Sequence, residues 1–186
     1  TEVDTILYNR IKRARTKLEI PYHFKVEYGV LAGNSNNEQS GIGFFQSSFN
    51  YGLSKILYAG LGSGIEYYME QSYIPVFANF ECKFRQTRFS PILFVKAGYL
   101  IPGEKQHPSS IYDQLDSRNL PPKYLNASGG LVLNAGFGFT SMLGNNFGFG
   151  LNIAYRYHTL NFTGKGKYEL EQRFNRLGLS IFIIFK

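Results

Sequence analysis

Bulky apolar residues alternate with small or polar residues over several stretches of the chain, most clearly from Phe147 to His158. The bulky set there is Phe147, Phe149, Leu151, Ile153, Tyr155 and Tyr157, and the other set is Gly148, Gly150, Asn152, Ala154, Arg156 and His158. Successive side chains of a β-strand point to opposite faces, so this stretch predicts a strand. Water-facing positions rarely carry glycine and alanine beside a lone arginine. We therefore expect the apolar face in lipid and the small face inside a narrow barrel.

Seven further stretches with the same period predict strands at about 22–30, 42–53, 57–67, 74–84, 92–101, 131–140 and 176–185. The predicted connections at 33–41, 69–74, 103–128 and 159–172 are mostly longer or more polar than the short turns between them. These features are typical of an all-β fold, a closed eight-stranded antiparallel up-and-down transmembrane β-barrel. We expect the barrel to occupy residues 22–186, with the longer connections outside and both termini in the periplasm.

Residues 1–21 have a different pattern. Apolar residues recur there at helical spacing, at Val3, Leu7, Ile11, Ala14 and Leu18. Arg10, Lys12, Arg13, Arg15 and Lys17 fill much of the remainder, and Pro21 ends the pattern. The pattern predicts a short basic N-terminal periplasmic segment, either an amphipathic helix or a solvated arm.

Several classes of chemistry have no support in this sequence. No run of about 18 apolar residues predicts a membrane-spanning helix. The single cysteine, Cys82, allows no internal disulfide and no zinc cluster. Phosphate-binding loops, a nucleophile elbow and metal-spaced histidines are also missing, so we expect no cofactor and no metal site.

The net charge of +7 would ordinarily suggest a nucleic-acid partner. Under the predicted topology, however, the periplasmic side holds nine basic residues against three acidic ones, which is most of the surplus. We therefore expect no nucleic acid as a partner. Outer-membrane lipid and lipopolysaccharide, with another outer-membrane or periplasmic protein, fit this distribution better.

Four motifs carry a resemblance to a known family. They are Gly60-Leu-Gly-Ser-Gly-Ile-Glu-Tyr-Tyr68, Ile74-Pro-Val-Phe-Ala-Asn-Phe80, Ser90-Pro91 and Lys96-Ala-Gly-Tyr99. With them, residues 22–186 resemble the small outer-membrane β-barrel proteins related to the OmpX and OmpA barrel domain. The resemblance implies a fold and a bacterial outer-membrane location rather than an activity.

Eight ionisable residues fall on the predicted inner face of the barrel. They are Lys25, Glu27, Glu66, Glu81, Lys83, Lys96, Arg156 and Arg176. A barrel of eight strands is just wide enough for side chains to fill it, so these charges must pair with one another or face trapped water. We expect a salt-bridged plug, and a narrow gated channel is the alternative.

His158 suggests a different alternative, an enzyme. It falls at the predicted outer rim, beside Thr159 and near Glu169 and Glu171. Barrels that modify lipid A are similar in placing a hydroxyl, a histidine and an acidic group near that rim. A rim histidine is more often simply solvated, so we expect no enzymatic activity.

The predicted lipid-facing positions are uneven in size. Strands two to five carry small residues at Ser47, Ala59, Ser63, Ala78 and Ala97. Small residues allow close approach between membrane segments, so this smooth side is a candidate protein interface, although chance clustering is a serious alternative. Our interpretation is a structural or accessory subunit of an outer-membrane assembly.

Overall fold

The computed structural model describes residues 22–33, 41–68, 71–84, 89–104, 106–108, 124–143, 146–164 and 168–186. The predicted N-terminal segment, residues 1–21, lies outside the described residues. No helix in the described part of the chain is long and apolar enough to cross a membrane.

Eight long strands and one short strand form a single antiparallel sheet. The strands are β1 (Tyr22–Gly33), β2 (Gly41–Gly52), β3 (Leu57–Tyr68), β4 (Gln71–Lys83), β5 (Phe89–Pro102), β6 (Gln106–Pro108), β7 (Tyr124–Met142), β8 (Phe147–Gly164) and β9 (Tyr168–Phe185). Each long strand pairs with the next one along the chain, β5 pairs directly with β7, and β9 pairs with β1. The sheet is therefore closed, and the predicted eight-stranded antiparallel barrel is confirmed. The short strand β6 pairs with the first residues of β7.

The strand register makes the barrel narrow. Starting from Lys25 on β1, we followed the residues that face one another on neighbouring strands around the barrel. The path runs from β2 to β9, where it ends at Phe174. In the other direction Lys25 pairs with Ile184 on the same strand, ten residues from Phe174. This stagger tilts the strands and leaves an interior that side chains can fill.

The two faces of the wall differ as the alternation predicts. On β1, for example, Lys25 and Glu27 are buried inside while Phe24 and Tyr28 are exposed outside. Among the described residues, thirty-seven large apolar side chains are exposed, most of them on the outer face of the strands. A soluble monomer rarely exposes apolar patches of more than a few hundred Å², so this surface is suited to lipid.

The two ends of the barrel are distinguished by their connections. We call the end with the turns 53–56, 84–88 and 143–146 and with Lys186 the turn end, and the opposite end the loop end. Aromatic pairs ring the turn end: Tyr22 with Phe49, Phe89 with Phe139, and Phe147 with Phe185, with ring centroids 6.0, 5.3 and 5.6 Å apart. Such belts lie at the membrane–water interface of outer-membrane barrels.

The prediction of a loop over residues 159–172 is wrong. Strand β8 continues to Gly164 and β9 begins at Tyr168, so only residues 165–167 connect them. Inward and outward residues still alternate there, but the inward residues are now apolar and the outward ones polar. Leu160 and Phe162 are buried inside, while Thr163 and Glu171 are exposed outside. This reversal is expected where the wall leaves the lipid, because its outer face then meets water.

Two other predicted connections also change. The predicted loop at 69–74 shrinks to residues 69–70, because β4 begins at Gln71. The predicted loop at 103–128 is interrupted by β6 and ends where β7 begins, at Tyr124. The predicted alternation of long and short connections is therefore wrong at two of four loop-end positions.

A bulge hid the start of β7 from sequence analysis. The register shifts between Ala127 and Gly129, and Gly129 has φ +79°, a backbone conformation that favours glycine. The Tyr99 hydroxyl donates a hydrogen bond of 2.8 Å to the Ser128 carbonyl oxygen at the same place. Because the bulge shifts the alternation by one residue, β7 does not appear as one continuous period-two stretch.

We predict that Phe162→Ala destabilises the barrel by roughly 3 kcal/mol, because the ring is buried inside the extended wall. The neighbouring Asn161→Ala, on the outer face, serves as the control and should change stability by no more than about 0.5 kcal/mol. Urea unfolding in detergent micelles measures both variants. Equal, small effects would show that the extension does not pack as a wall.

Candidate functional site in the barrel lumen

All eight ionisable residues singled out from the sequence lie buried in the barrel interior. They are Lys25, Glu27, Glu66, Glu81, Lys83, Lys96, Arg156 and Arg176. Because they come from six strands of the wall, their side chains meet across the lumen rather than along one strand. The three carboxylates each contact one cation, and these ion pairs succeed one another from the turn end to the loop end.

The first ion pair lies near the turn end. The Lys25 Nζ atom is 2.5 Å from Oε1 of Glu81. The Asn79 side-chain amide donates to the same oxygen at 3.1 Å, and His23 Nε2 lies 3.4 Å from the other. Glu81 therefore gathers groups from β1 and β4 around one carboxylate. The Lys25 ammonium also lies 4.2 Å from the centroid of the Phe182 ring.

The second ion pair joins Lys96 and Glu27 in the middle of the lumen, with 2.6 Å between Nζ and Oε2. The second oxygen of Glu27 accepts hydrogen bonds from Ser180 Oγ at 2.5 Å and Asn152 Nδ2 at 3.2 Å. Three other strands thus supply the hydrogen-bond donors to a single carboxylate on β1. These contacts offset the desolvation cost of burying the Glu27 carboxylate.

The third ion pair, nearest the loop end, is bidentate. Both terminal nitrogens of Arg156 lie 2.6 Å from the two oxygens of Glu66. Gln46 connects this pair to the middle one, because its amide nitrogen donates to Glu66 at 2.8 Å and its amide oxygen accepts from Lys96 at 3.1 Å. The two pairs are therefore held as one network across the lumen.

The remaining two cations rest on aromatic rings. The Lys83 Nζ atom lies 4.5 Å from the centroid of Tyr58, and the Arg176 guanidinium carbon lies 5.5 Å from that of Phe174. Lys83 faces the turn end and Arg176 faces the loop end. Stacking over a ring face stabilises a desolvated cation.

Apolar clusters close the network at both ends. Toward the loop end a cluster packs across the lumen, consisting of Leu31, Ile42, Phe44, Tyr73, Leu100, Ala127, Val132, Leu160, Phe162 and Phe174. Toward the turn end Ile92, Phe182 and Ile184 form a smaller one. Between the large cluster and the third ion pair lies a cavity of about 10 Å³, bounded in part by Glu66 and His158. A space of this size is at the limit for one water molecule.

Glycines make room for this filling. Gly60, Gly62 and Gly64 form a row on β3, where a Cβ on Gly62 would collide with the Phe77 ring. That ring in turn lies 5.1 Å from the Lys96 ammonium. The glycine row therefore lets an aromatic side chain contact the middle ion pair.

The expectation that His158 is solvated at the rim is wrong. His158 is buried inside the barrel, and its ring stacks on Phe174 with centroids 4.8 Å apart. The wall continues six residues past it to Gly164, which removes it from the rim. On β9, Glu169 and Glu171 lie directly opposite Thr163 and Asn161 of β8. Both glutamates are exposed on the outer face.

Sequence analysis missed the uncharged members of the network. His23, Gln46, Asn79, Asn152 and Ser180 are buried and contact its carboxylates or cations. Each occupies an inward position of its strand, so the alternation could have identified them. The sequence prediction counted charges alone. Among the described residues no group of three or more His, Cys, Asp or Glu side chains could hold a metal ion.

The small residues proposed as a smooth side lie on adjacent strands of the outer face. Ser47 is directly opposite Ser63, and Ala78 is directly opposite Ala97. Ala59 lies between Tyr51 and Phe80 on the neighbouring strands. Ser47, Ser63 and Ala78 are half-buried, since larger neighbours shield them. These residues therefore form a shallow depression in an otherwise bulky apolar surface.

A closed barrel of eight antiparallel strands, apolar outside and charged inside, is the architecture of the small outer-membrane β-barrels. Comparison with solved structures agrees. Neisserial surface protein A matches with a TM-score of 0.52 and 12% identity, over 89% of this chain and 95% of that chain. OprG from Pseudomonas aeruginosa matches with a TM-score of 0.56 and 10% identity, over 88% and 95% of the two chains.

The N-terminal β-barrel domain of OprF, also from Pseudomonas aeruginosa, matches with a TM-score of 0.51 and 13% identity, over 88% and 97% of the two chains. The expected resemblance to small outer-membrane barrels is thus confirmed for the fold. At these identities the likeness concerns the fold alone. No family model and no curated protein matches the chain.

We predict that Glu66→Gln destabilises the barrel by roughly 3–5 kcal/mol, because it leaves the Arg156 guanidinium buried without a carboxylate. The double variant Glu66→Gln, Arg156→Met should recover most of that loss, since it removes both charges. Chemical unfolding in micelles gives the values. Glu171→Gln, which breaks the exposed pair of Glu171 and Arg173, should leave the unfolding midpoint unchanged. A double variant no more stable than the single one would contradict the assigned pairing.

Proposed function

We propose that the protein is a non-enzymatic structural or accessory subunit of an outer-membrane protein assembly. The observation that carries this proposal is the filled lumen, in which three ion pairs lie between two apolar clusters. A barrel whose interior is occupied in this way acts through its outer surface and its ends. The surfaces that remain for a partner are the lipid-facing wall and the segment before Tyr22.

The narrow gated channel is the first alternative. An ion passing through would have to separate the bidentate Arg156–Glu66 pair and part the apolar cluster above it. Breaking a buried pair costs several kcal/mol, and the gap would still be lined by Leu31, Leu160 and Phe162. The geometry therefore favours a plug over a gate.

We predict that the purified barrel passes no steady ionic current in planar bilayers. The same preparation should show the gel-mobility shift of a folded barrel, so that the absence of current is not an absence of folded protein. Reproducible single-channel openings would favour the gated channel instead.

The lipid A-modifying enzyme is the second alternative. Its candidate residue, His158, is buried against Phe174 inside the wall, where it cannot touch an acyl chain in the surrounding lipid. Thr159 is also nearly buried, and its Oγ1 atom accepts a hydrogen bond of 3.1 Å from the Leu131 amide. Neither side chain is presented to a lipid substrate, so the described residues offer this function no support.

We further propose that the turn end faces the periplasm and the loop end faces the outside. Support comes from the wall, which projects past the apolar zone at the loop end only, through β7, β8 and β9. Lys55 and Lys186 lie at the turn end, and the basic residues of 1–21 precede Tyr22 there in sequence. Lipopolysaccharide would surround the outer half of the wall. Anionic headgroups or an acidic protein would meet the basic end, and no nucleic acid is involved.

We predict that a membrane-impermeant maleimide applied to intact cells labels Ser110→Cys but not Lys186→Cys, both in a Cys82→Ser background. Permeabilising the outer membrane should make Lys186→Cys reactive as well, which controls for probe access. The reverse labelling pattern would overturn the orientation.

We propose the smooth side of β2 to β5 as the contact surface for the partner. The small residues Ser47, Ala59, Ser63, Ala78 and Ala97 allow another membrane segment to approach the wall closely. Strand β9, four strands away from β4 in either direction, carries bulky Leu177, Leu179, Ile181 and Ile183 outward. It therefore provides the matched control surface.

We predict that Ala78→Trp weakens copurification of the partner in mild detergent at least tenfold, because the indole fills the shallow depression. Ile181→Trp should leave the same association intact, and both variants should still fold, since lipid tolerates an exposed tryptophan. Photocrosslinkers at the two positions identify what each touches. Capture of protein at 181 and of lipid alone at 78 would contradict the assignment.

A further inference from the structure

The outer face of β8 and β9 changes from apolar to polar at one height of the wall. On β9 the outward residues from Ile183 to Leu177 are bulky and apolar, whereas those from Asn175 to Glu169 are polar. On β8 the change falls between Tyr157 and Asn161. Because Tyr157 lies directly opposite Asn175, both strands change at the same height. Lipid headgroups would therefore begin at this height.

Arg173 is a cation at this boundary. It lies on β9 directly opposite Thr159, and its side chain is 68% exposed. Among the described residues toward the loop end it is the only cation that faces outward, because the others are buried in the lumen. An outward guanidinium at headgroup height is complementary in charge to the phosphates of lipid headgroups.

The guanidinium of Arg173 is oriented by its neighbour Glu171. The Arg173 Nε atom donates a hydrogen bond of 2.9 Å to Oε1 of Glu171. Within the described part of the chain, the two terminal nitrogens of Arg173 have no hydrogen-bond partner. Those two nitrogens form the planar fork with which arginine binds two oxygens of one phosphate. Glu171 therefore holds the guanidinium while its fork stays open.

Asn175 supplies a second donor, two residues nearer the hydrocarbon. Its side-chain oxygen accepts a hydrogen bond of 2.7 Å from the Tyr155 hydroxyl, which leaves the amide nitrogen to donate elsewhere. Residues two apart on one face of a strand are separated by about 7 Å. Because an arginine side chain is long and flexible, Arg173 and Asn175 can contact the same phosphate group. We call these two residues the boundary patch.

We infer that the boundary patch binds the phosphate of a phosphorylated glycolipid in the outer leaflet. This inference rests on the proposed function in one respect, the orientation in which the loop end faces outside. It assigns lipid to β8 and β9, on the side of the barrel away from the smooth side of β2 to β5.

The residues below and above the boundary patch fit the other parts of such a lipid. Leu177 and the apolar residues below it suit acyl chains. Asn161 and Thr163, above the patch on β8, can form hydrogen bonds with sugar hydroxyls. Glu169 lies four residues from Arg173, about 13 Å along the strand, so its negative charge faces the sugars rather than the phosphate. The wall thus presents apolar, cationic and polar groups in the order of acyl chain, phosphate and sugar.

The test is the affinity of the full-length barrel in detergent micelles for lipid A, before and after chemical removal of the lipid phosphates. Native mass spectrometry measures the fraction of barrels that carry a lipid over a concentration series. Arg173→Gln removes the charge and the fork. Lys186→Gln removes an exposed cation at the turn end and serves as the matched control. A gel-mobility shift confirms that each variant is folded.

The wild type and Lys186→Gln should bind the phosphorylated lipid about tenfold more tightly than the dephosphorylated one, because only the former offers oxygens to the fork. Arg173→Gln should bind both forms with the same, weaker affinity. Equal affinities of the wild type for both forms, or an Arg173→Gln variant that keeps the preference, would overturn the boundary patch. Displacement of the lipid by millimolar inorganic phosphate would assign the patch to a free anion and contradict a lipid ligand.

Failure of this inference can be told apart from failure of the proposed function. Purified barrels in micelles need neither a protein partner nor a fixed orientation to show a preference for phosphorylated lipid. Loss of that preference, with the maleimide labelling and the effect of Ala78→Trp as predicted, would refute the boundary patch alone. Reversed maleimide labelling would refute the orientation, and with it the outer leaflet as the source of the lipid.

Discussion

A charged side chain in a narrow lumen has to be compensated by other groups within the lumen. Eight strands with a stagger of ten residues leave no room for bulk water, so a carboxylate there relies on neighbours for the solvation it has lost. Glu27 illustrates the result, with an ammonium, a hydroxyl and an amide around it from three other strands. Closure of the barrel and pairing of its charges therefore depend on each other, because each ion pair exists only when strands distant in sequence are joined.

The second constraint acts on the outer face. Along β8 the outward residues are Ile153, Tyr155 and Tyr157, then Asn161 and Thr163, while Thr159 between them is buried. The inward residues change in the opposite sense, from Asn152 and Arg156 to Leu160 and Phe162. One strand thus passes from a wall between lipid and a polar plug to a wall between water and an apolar core. The change marks the membrane boundary within a single continuous strand.

Sequence analysis succeeded where one polarity rule held over a whole strand. The inward positions of Lys25, Lys96 and Arg156 followed from alternation, and the same alternation gave eight strands and their closure. It failed at residues 159–172 because we assumed that bulky residues face outward everywhere, and Leu160 and Phe162 obey the reverse rule. The bulge at Gly129 shifted the period and hid the start of β7.

The contacts within the lumen could not have been predicted in the same way. Alternation shows that Glu66 and Arg156 face inward, but which of five cations meets which of three carboxylates depends on the stagger between β3 and β8. The register between the strands fixes that stagger, and no local sequence pattern reveals the register. Gln46, which links two ion pairs, was overlooked because an inward amide has no charge to count.

The most direct test of this account is the environment of the outward side chains along β8. Spin labels placed one at a time at 151, 153, 155, 157, 161 and 163, in lipid bilayers, report collisions with dissolved oxygen, which concentrates in lipid, and with a water-soluble nickel complex. The account predicts oxygen-dominated relaxation through residue 157 and a change to nickel-dominated relaxation at residues 161 and 163. Oxygen-dominated relaxation continuing to residue 163, or nickel access at 151 and 153, would contradict it.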